Sequence, residues 1–449
     1  MIKLTALRIG GLLRLVLLAC LAGAAAGLVA AVFRLALEQA DLWRSSVIAG
    51  LHQWPVIGFP AVAGGAAGAA ALASYLVQRF ARHAAGSGIP HVEAVLNDGL
   101  APAPLSLLPV KFFGGLLAMG GGMALGREGP SVQMGATIGS SLGRVFQLSR
   151  RDATALLAAS AGAGLATAFN APVAGALFVL EELLRRFERR SAIATLGASA
   201  SAILVARVLL GPGPDLTIEP IPPIGLAGAT LAAALGVLAG LVGVAYNRAL
   251  LGGLALADQF SRTPAELRAA VVGGAVGALA WFAPGWVGGG EALAQSALSG
   301  GVAPALVALI FVVRFLLGAA SYAAGTPGGL FAPMLALGAQ LGLLFGTVCH
   351  WSFPGLAEPP AAFAMIGMAA FFTAVVRAPV TGIVLISEMT GGATLLLGML
   401  AACFASMVVP TLLGSRPIYD SLRDRTLGIE EGEELVRTAR ARRQDQLRS

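Results

Sequence analysis

Charge is scarce in this chain. Asp, Glu, Lys and Arg together make up 12% of its 449 residues, about half the share of an ordinary soluble domain. A water-soluble fold of this length would be short of surface charge. Three cysteines, Cys20, Cys349 and Cys403, stand far apart in apolar surroundings, which excludes a disulfide framework. The four histidines show no ligand spacing with the cysteines or with one another, so neither a metal site nor another cofactor is expected.

What the chain has in excess is apolar residues, at 57%, and glycine, at 60 positions. Residues 15–33 run uncharged between Arg14 and Arg34, close to the roughly 20 residues a helix needs to cross a bilayer. A cleaved signal peptide is the other reading of that run, but hydrophobicity continues at 54–77, 156–180, 193–211, 225–246, 303–313 and 361–376. Glycine at this density implies close helix packing, with helices interrupted where backbone lines a cavity. The expected fold is an all-α, polytopic integral membrane protein. A net charge of +7 invites a nucleic-acid reading, yet the basic residues cluster at 144–151, 185–190 and 437–448, beside apolar segments or at the tail. Cytoplasmic loops explain such clusters better, and they place both termini in the cytoplasm, with no nucleic-acid partner.

Self-comparison reveals a duplication. Ala171-Pro172-Val173, Gly175 and Glu181 match Ala378-Pro379-Val380, Gly382 and Glu388 at an offset of 207. Lys111-Phe112, Gly115, Gly126, Pro130, Gly135 and Gly139 match Arg314-Phe315, Gly318, Gly329, Pro333, Gly338 and Gly342 at an offset of 203. Repeats of this kind mark transporters with a site at the repeat interface. The organisation expected is a cytoplasmic segment at 1–14, a first half at 15–210, a Pro/Gly-rich connection at 211–224, a second half at 225–427 and a short charged cytoplasmic tail at 428–449. The sequence pattern leaves the relative orientation of the halves open.

Three short stretches share one design: Gly86-Ser87-Gly88-Ile89-Pro90, Gly126-Arg127-Glu128-Gly129-Pro130 and Gly329-Leu330-Phe331-Ala332-Pro333. Glycine permits left-handed or tight backbone, and proline is favoured in the first turn of a helix. Each stretch therefore reads as a helix N-terminus, where unpaired N–H groups and a partial positive charge make an anion site without a full cation. Binding by lysine or arginine would hold an anion too tightly for it to move on. The alternative is that these glycines and prolines serve helix packing and kinks alone.

These stretches, in this order and with Tyr419 late in the chain, resemble the ion-binding segments of the CLC family of chloride channels and transporters. Leu108-Pro109-Val110-Lys111-Phe112-Phe113-Gly114-Gly115, Phe169-Asn170-Ala171-Pro172 and Val376-Arg377-Ala378-Pro379 extend the likeness over about residues 10–425. The resemblance implies a bundle of tilted and broken helices in two inverted halves, and a homodimer in the inner or plasma membrane with one pathway per subunit. It implies that the Ser87 and Tyr419 hydroxyls and the N–H groups of Leu330 and Phe331 hold chloride. A serine at 87 resembles the chloride-preferring members. On its own, Tyr419 would also serve as an interfacial anchor beside Arg416. No C-terminal regulatory domain is expected.

An ionisable group inside a membrane segment is a functional candidate by default. Glu128 lies in one of the helix-start loops, where its carboxylate could take an anion's place; a local pair with Arg127 is the plainer reading. Glu181 and Glu182 precede Arg185 and Arg186, so ion pairs at the membrane edge are open to both. Glu388 answers Glu181 in the second half, but Met389 stands opposite Glu182, which suggests a task for Glu182 alone. The resemblance makes Glu128 the gate and proton carrier and Glu182 the inner proton acceptor of a voltage- and pH-sensitive chloride/proton antiporter. A passive chloride channel of the same fold is the alternative, and an intramembrane enzyme using Glu128 with Arg127 or Glu182 the reading from another class. Lys111 sits in apolar surroundings with Glu93 upstream; a pair between them would relieve its burial and give structural support.

Overall fold

The computed structural model describes residues 2–97, 99–300, 302–353, 358–429 and 431, with 2–10 described by backbone alone. The greater part of the tail expected from 428 onward lies outside these residues. The described backbone is helical with no strand longer than a single bridge, as lipid demands, because each helix satisfies its own N–H and C=O groups. In chain order come α1 (Ile2–Leu51), α2 (Pro55–Phe80), α3 (Ile89–Leu96), α4 (Leu107–Gly120), α5 (Glu128–Val145), α6 (Arg150–Ala168), α7 (Pro172–Phe178) and α8 (Arg189–Leu210). After a helix-free segment follow α9 (Leu226–Gln259), α10 (Ala265–Phe282), α11 (Glu291–Ser299), α12 (Pro304–Ala323), α13 (Phe331–Ser352), α14 (Pro360–Val376), α15 (Pro379–Thr390) and α16 (Leu396–Leu412). A last helix, α17, covers 418–429. Among the described residues, seven helices are long and apolar enough to cross a membrane, and large apolar side chains such as Leu17, Val208, Phe282 and Phe404 face outward. The protein is a polytopic, all-α membrane protein.

Apolar runs and helices do not coincide everywhere. The run at 15–33 is part of one helix that continues through Arg34 to Leu51. Arg34 is tolerated because its guanidinium is bound by Glu38 at 2.8 Å and by Asp215 at 2.8 Å. The run at 156–180 is instead divided between α6 and α7, since Asn170 adopts a left-handed φ of 50° and Pro172 starts the next helix.

The two halves repeat each other element by element, α1–α8 against α9–α16. Even the 3₁₀ turns Arg82–Ala84 and Pro284–Trp286 correspond, and so do the left-handed residues: Gly86 with Gly288, Gly88 with Gly290, Gly122 with Gly325, and Asn170 with Arg377. Their relative orientation follows from one pair of contacts. Glu181, at the end of the first-half segment that begins with α7, accepts hydrogen bonds from the Val380 and Thr381 N–H groups at the start of α15, at 3.0 and 2.7 Å. Glu388, near the end of α15, accepts from the Val173 and Ala174 N–H groups at the start of α7, at 3.1 and 2.8 Å. Equivalent helices thus lie side by side and antiparallel, so the halves are inverted relative to each other. Small residues allow backbones to meet across helix pairs: a Cβ on Gly367 of α14 would stand 2.9 Å from the Gly342 Cα of α13.

Candidate functional site

The site grows from the point where the halves meet. Gly126 and Gly329 are equivalent residues, and they bond to each other: the Gly126 N–H donates to the Gly329 carbonyl at 2.8 Å and the reverse bond measures 2.6 Å. The approximate two-fold relation therefore passes between them. Helices α5 and α13 start just beyond, at Glu128 and Phe331, which are themselves equivalent positions. The third loop joins through the Gly86 N–H, which donates to Thr326 O at 3.1 Å, and the Gly86 carbonyl, which accepts from the Gly328 N–H at 3.0 Å. All three helix starts singled out in the sequence meet here.

Lys111 on α4, fully buried, braces this junction. Its ammonium donates to the carbonyls of Ala84 at 3.0 Å and Gly86 at 2.7 Å. The expected pair with Glu93 is not formed: backbone carbonyls accept the Lys111 hydrogen bonds in its place, while Glu93 lies 3.6 Å from Arg423 of α17. Arg314, the equivalent of Lys111, donates to the carbonyls of Trp286, Gly288 and Gly289 at 3.2, 2.7 and 3.1 Å. The same device thus braces the matching loop of the second half.

Glu128 is completely buried. Its Oε1 accepts the Ala332 N–H of α13 at 2.8 Å, and its Oε2 has no hydrogen-bond partner among the described residues. The carboxylate from one helix start therefore caps the helix start of the other half, as an anion would. A Cβ at Gly329 would stand 2.7 Å from Oε2, so only glycine leaves room for it. The N–H groups of Leu330 and Phe331 take no acceptor from the described residues. Ser87 and Tyr419 are both fully buried, and among the described residues neither hydroxyl has a hydrogen-bond partner of good geometry, although the two hydroxyls are close enough to influence each other. The Tyr419 ring is 6.0 Å from that of Phe331, which also contacts Phe178 and Phe372 at 5.5 and 4.8 Å. Unpaired buried hydroxyls are expensive, and the O–H and N–H donors that converge in this apolar box are the kind a small anion can accept from. Cavities approach it from two sides. One of about 330 Å³ is lined by Gly86, Gly88 and Arg425, and one of about 300 Å³ by Arg127, Gly126 and Ala332.

Arg127 does not pair with Glu128. Its guanidinium donates to the Ala168 carbonyl at 2.9 Å and lies 2.9 Å from Glu291 and 3.5 Å from Asp215. Those partners reach it from the second half and from the connection, out of reach of any local pattern. Glu181 likewise forms no ion pair with its neighbouring arginines, because it is occupied by the α15 cap, to which the Thr381 hydroxyl also donates at 2.7 Å. Glu182 is buried, on a π-helical turn, Val179–Leu183, closed by the Leu184 N–H donating to Val179 O at 2.8 Å. Its Oε1 lies 3.4 Å from Arg185, which in turn lies 2.6 Å from Asp420 on α17. Sequence reasoning missed Asp215, Glu291, Asp420 and Arg423. The asymmetry between Glu182 and Met389 was the single signal pointing toward that region.

Comparison with known proteins bears on this geometry. The family model described as voltage gated chloride channel matches residues 68–411. The H(+)/Cl(-) exchange transporter ClcA of Vibrio cholerae serotype O1 (strain M66-2) is 41% identical over 360 residues, which is 79% of this chain and 77% of that protein. ClcA of Cronobacter sakazakii is 38% identical over 432 residues, 94% of this chain and 91% of that protein. Among solved structures, a slow cyanobacterial Cl⁻/H⁺ antiporter matches with a TM-score of 0.88 and 33% identity, covering 92% of this chain and 98% of that one.

Proposed function

The chain belongs to the voltage-gated chloride channel family, the CLC family, and on that premise we propose that it is a secondary active transporter exchanging chloride for protons. The observation that carries this reading is the Glu128 carboxylate seated on the α13 N–H group of Ala332 at 2.8 Å. Carboxylate and chloride then compete for one set of donors. When Glu128 is ionised it fills the place of the anion. When it binds a proton it loses the attraction of the helix dipole and swings away, and chloride enters against the Leu330 and Phe331 N–H groups and the Ser87 and Tyr419 hydroxyls. Because one side chain serves both ions, each passage of chloride is linked to loading or unloading a proton.

Glu182 receives the proton from the cytoplasmic side. Support for this role comes from its burial beside an exposed arginine and from its absence in the second half, where Met389 stands. The backbones of Gly86, Gly88, Ile89, Pro90, Gly126, Arg127, Gly129, Pro130, Gly329 and Pro333 shape the anion loops. Lys111, Glu93 and Glu181 support them from behind. The protein resides in the cell membrane with both termini in the cytoplasm, as a homodimer with one pathway in each subunit.

The test is to reconstitute the protein in liposomes under a chloride gradient and record chloride efflux and internal pH together. Wild type should drive protons uphill, and Glu182→Gln should move chloride without protons. A wild type that moves chloride but never protons would instead be a passive channel.

A further inference from the structure

We propose that Arg185 and Asp420 form a latch over the inner proton site: Arg185 is a positioning residue that covers the Glu182 carboxylate, and Asp420 holds Arg185 to the helix that carries Tyr419. The inference rests on the reading of Glu182 as the inner proton acceptor. Arg185 donates from Nε to the Glu182 carbonyl at 3.2 Å, lies 3.4 Å from the Glu182 carboxylate, and bonds Asp420 at 2.6 Å. Its side chain is 42% exposed against 4% for Glu182, so the guanidinium is the group standing between the buried carboxylate and water.

Backbone conformation adds an independent argument. Arg185 has a φ of 50°, a left-handed position just past the end of a helix, where glycine is the usual residue. The second half ends its matching segment in that usual way, at Gly391 with a φ of 67°. A β-carbon is strained there, and such strain persists where the side chain is held by its surroundings. The π turn beneath it adds one residue to the helix and turns Glu182 toward the same cluster, a distortion frequent at functional sites. The second half has neither the π turn nor a carboxylate at the matching position.

Asp420 follows Tyr419 directly on α17 and is also bound by Arg423 at 3.1 Å, which in turn lies 3.6 Å from Glu93. The charged groups facing Glu182 are therefore Arg185 and Glu181 from its own segment, Glu93 from α3, and Asp420 with Arg423 from α17. Asp420 thereby ties the latch to the helix that carries Tyr419.

The test measures proton and chloride flux together in liposomes over a range of internal pH, for the full chain and its Arg185→Gln, Arg185→Lys, Asp420→Asn and Glu182→Gln variants. Removing the cation should let Glu182 take its proton in less acid solution, moving the internal-pH midpoint of proton flux in Arg185→Gln up by about one unit. Chloride flux should stay within about twofold, and Arg185→Lys should restore more than half of the shift, because it returns the charge without the planar fork. Asp420→Asn should move the midpoint the opposite way, since Arg185 is then left to Glu182 alone. Proportional slowing of both fluxes with an unmoved midpoint would assign Arg185 a purely structural role and overturn the latch. If Arg185→Gln does not assemble, the Lys and Asn variants carry the same test. Proton flux persisting in Glu182→Gln would defeat the reading beneath the latch, whereas its loss with an unmoved Arg185→Gln midpoint defeats the latch alone.

Discussion

The two halves of this molecule solve the same structural problems in the same way and differ at the positions of two buried acids, Glu128 and Glu182. Each half braces a glycine loop with a buried cation on its fourth helix, Lys111 in one and Arg314 in the other. Each lends a glutamate, Glu181 or Glu388, to cap a helix of its counterpart. At the junction the likeness ends. Glu128 presents a carboxylate at the start of α5, whereas its equivalent, Phe331, presents a ring and a bare N–H at the start of α13. Likewise, the position equivalent to Glu182 in the second half holds Met389. Shared residues hold the framework, and the broken equivalences coincide with the groups proposed to carry the chemistry: in that proposal an acid that competes with an anion needs an opposing helix start that lacks one.

The sharpest way to break this comparison is Glu128→Gln, which makes both helix starts incapable of carrying a proton. Proton flux in liposomes should fall by about a hundredfold or to the leak of empty vesicles, while chloride flux continues and loses its pH dependence. Persisting proton transport would refute the competition mechanism.

A smaller effect is expected from removing the braces. Lys111→Met leaves the Ala84 carbonyl without a donor and takes one of two from the Gly86 carbonyl, Arg314→Met strips the carbonyls of Trp286, Gly288 and Gly289, and each should lower stability by about 1–3 kcal/mol, read as earlier unfolding in detergent. The comparison is sharpened by chloride affinity, which should weaken in the Lys111 variant alone, since that brace holds the loop carrying Ser87.

The reciprocal caps should respond equally. Glu181→Gln and Glu388→Gln replace a charged acceptor with a neutral one against a helix start, at about 1 kcal/mol each. Unequal losses, in the same unfolding assay, would show that the inverted relation at α7 and α15 is geometric but not energetic. The smallest effect belongs to Asn170→Gly, where relief of the left-handed backbone offsets the lost bond from the Asn170 amide to Gly213 O at 2.7 Å. Stability should change by no more than about 0.5 kcal/mol.

The three helix-start loops were legible from sequence because glycine and proline act on their own backbone, so Gly88, Glu128 and Phe331 stand at helix starts as the pattern required. Hydropathy alone was a weaker guide. It left α5 and α15 unmarked, because short or polar helices buried in protein need no long apolar run; it also passed over the apolar helices α10, α13 and α16, and it divided α1 at Arg34, whose charge is paired with Asp215 across the chain.

The sequence by itself determined an all-helical membrane chain, its duplication, and the helix starts with their candidate acid, since each depends on composition or on residues a few positions apart. The tertiary structure alone decided the partners. Arg127 turned from Glu128 to Asp215 and Glu291, Lys111 from Glu93 to carbonyls, and Glu181 to a helix start 199 residues away. Buried charges take whichever polar group the fold brings within hydrogen-bond reach: Arg127 and Glu181 find theirs in the second half or the connection, whereas Lys111 and Arg314 find carbonyls in their own halves.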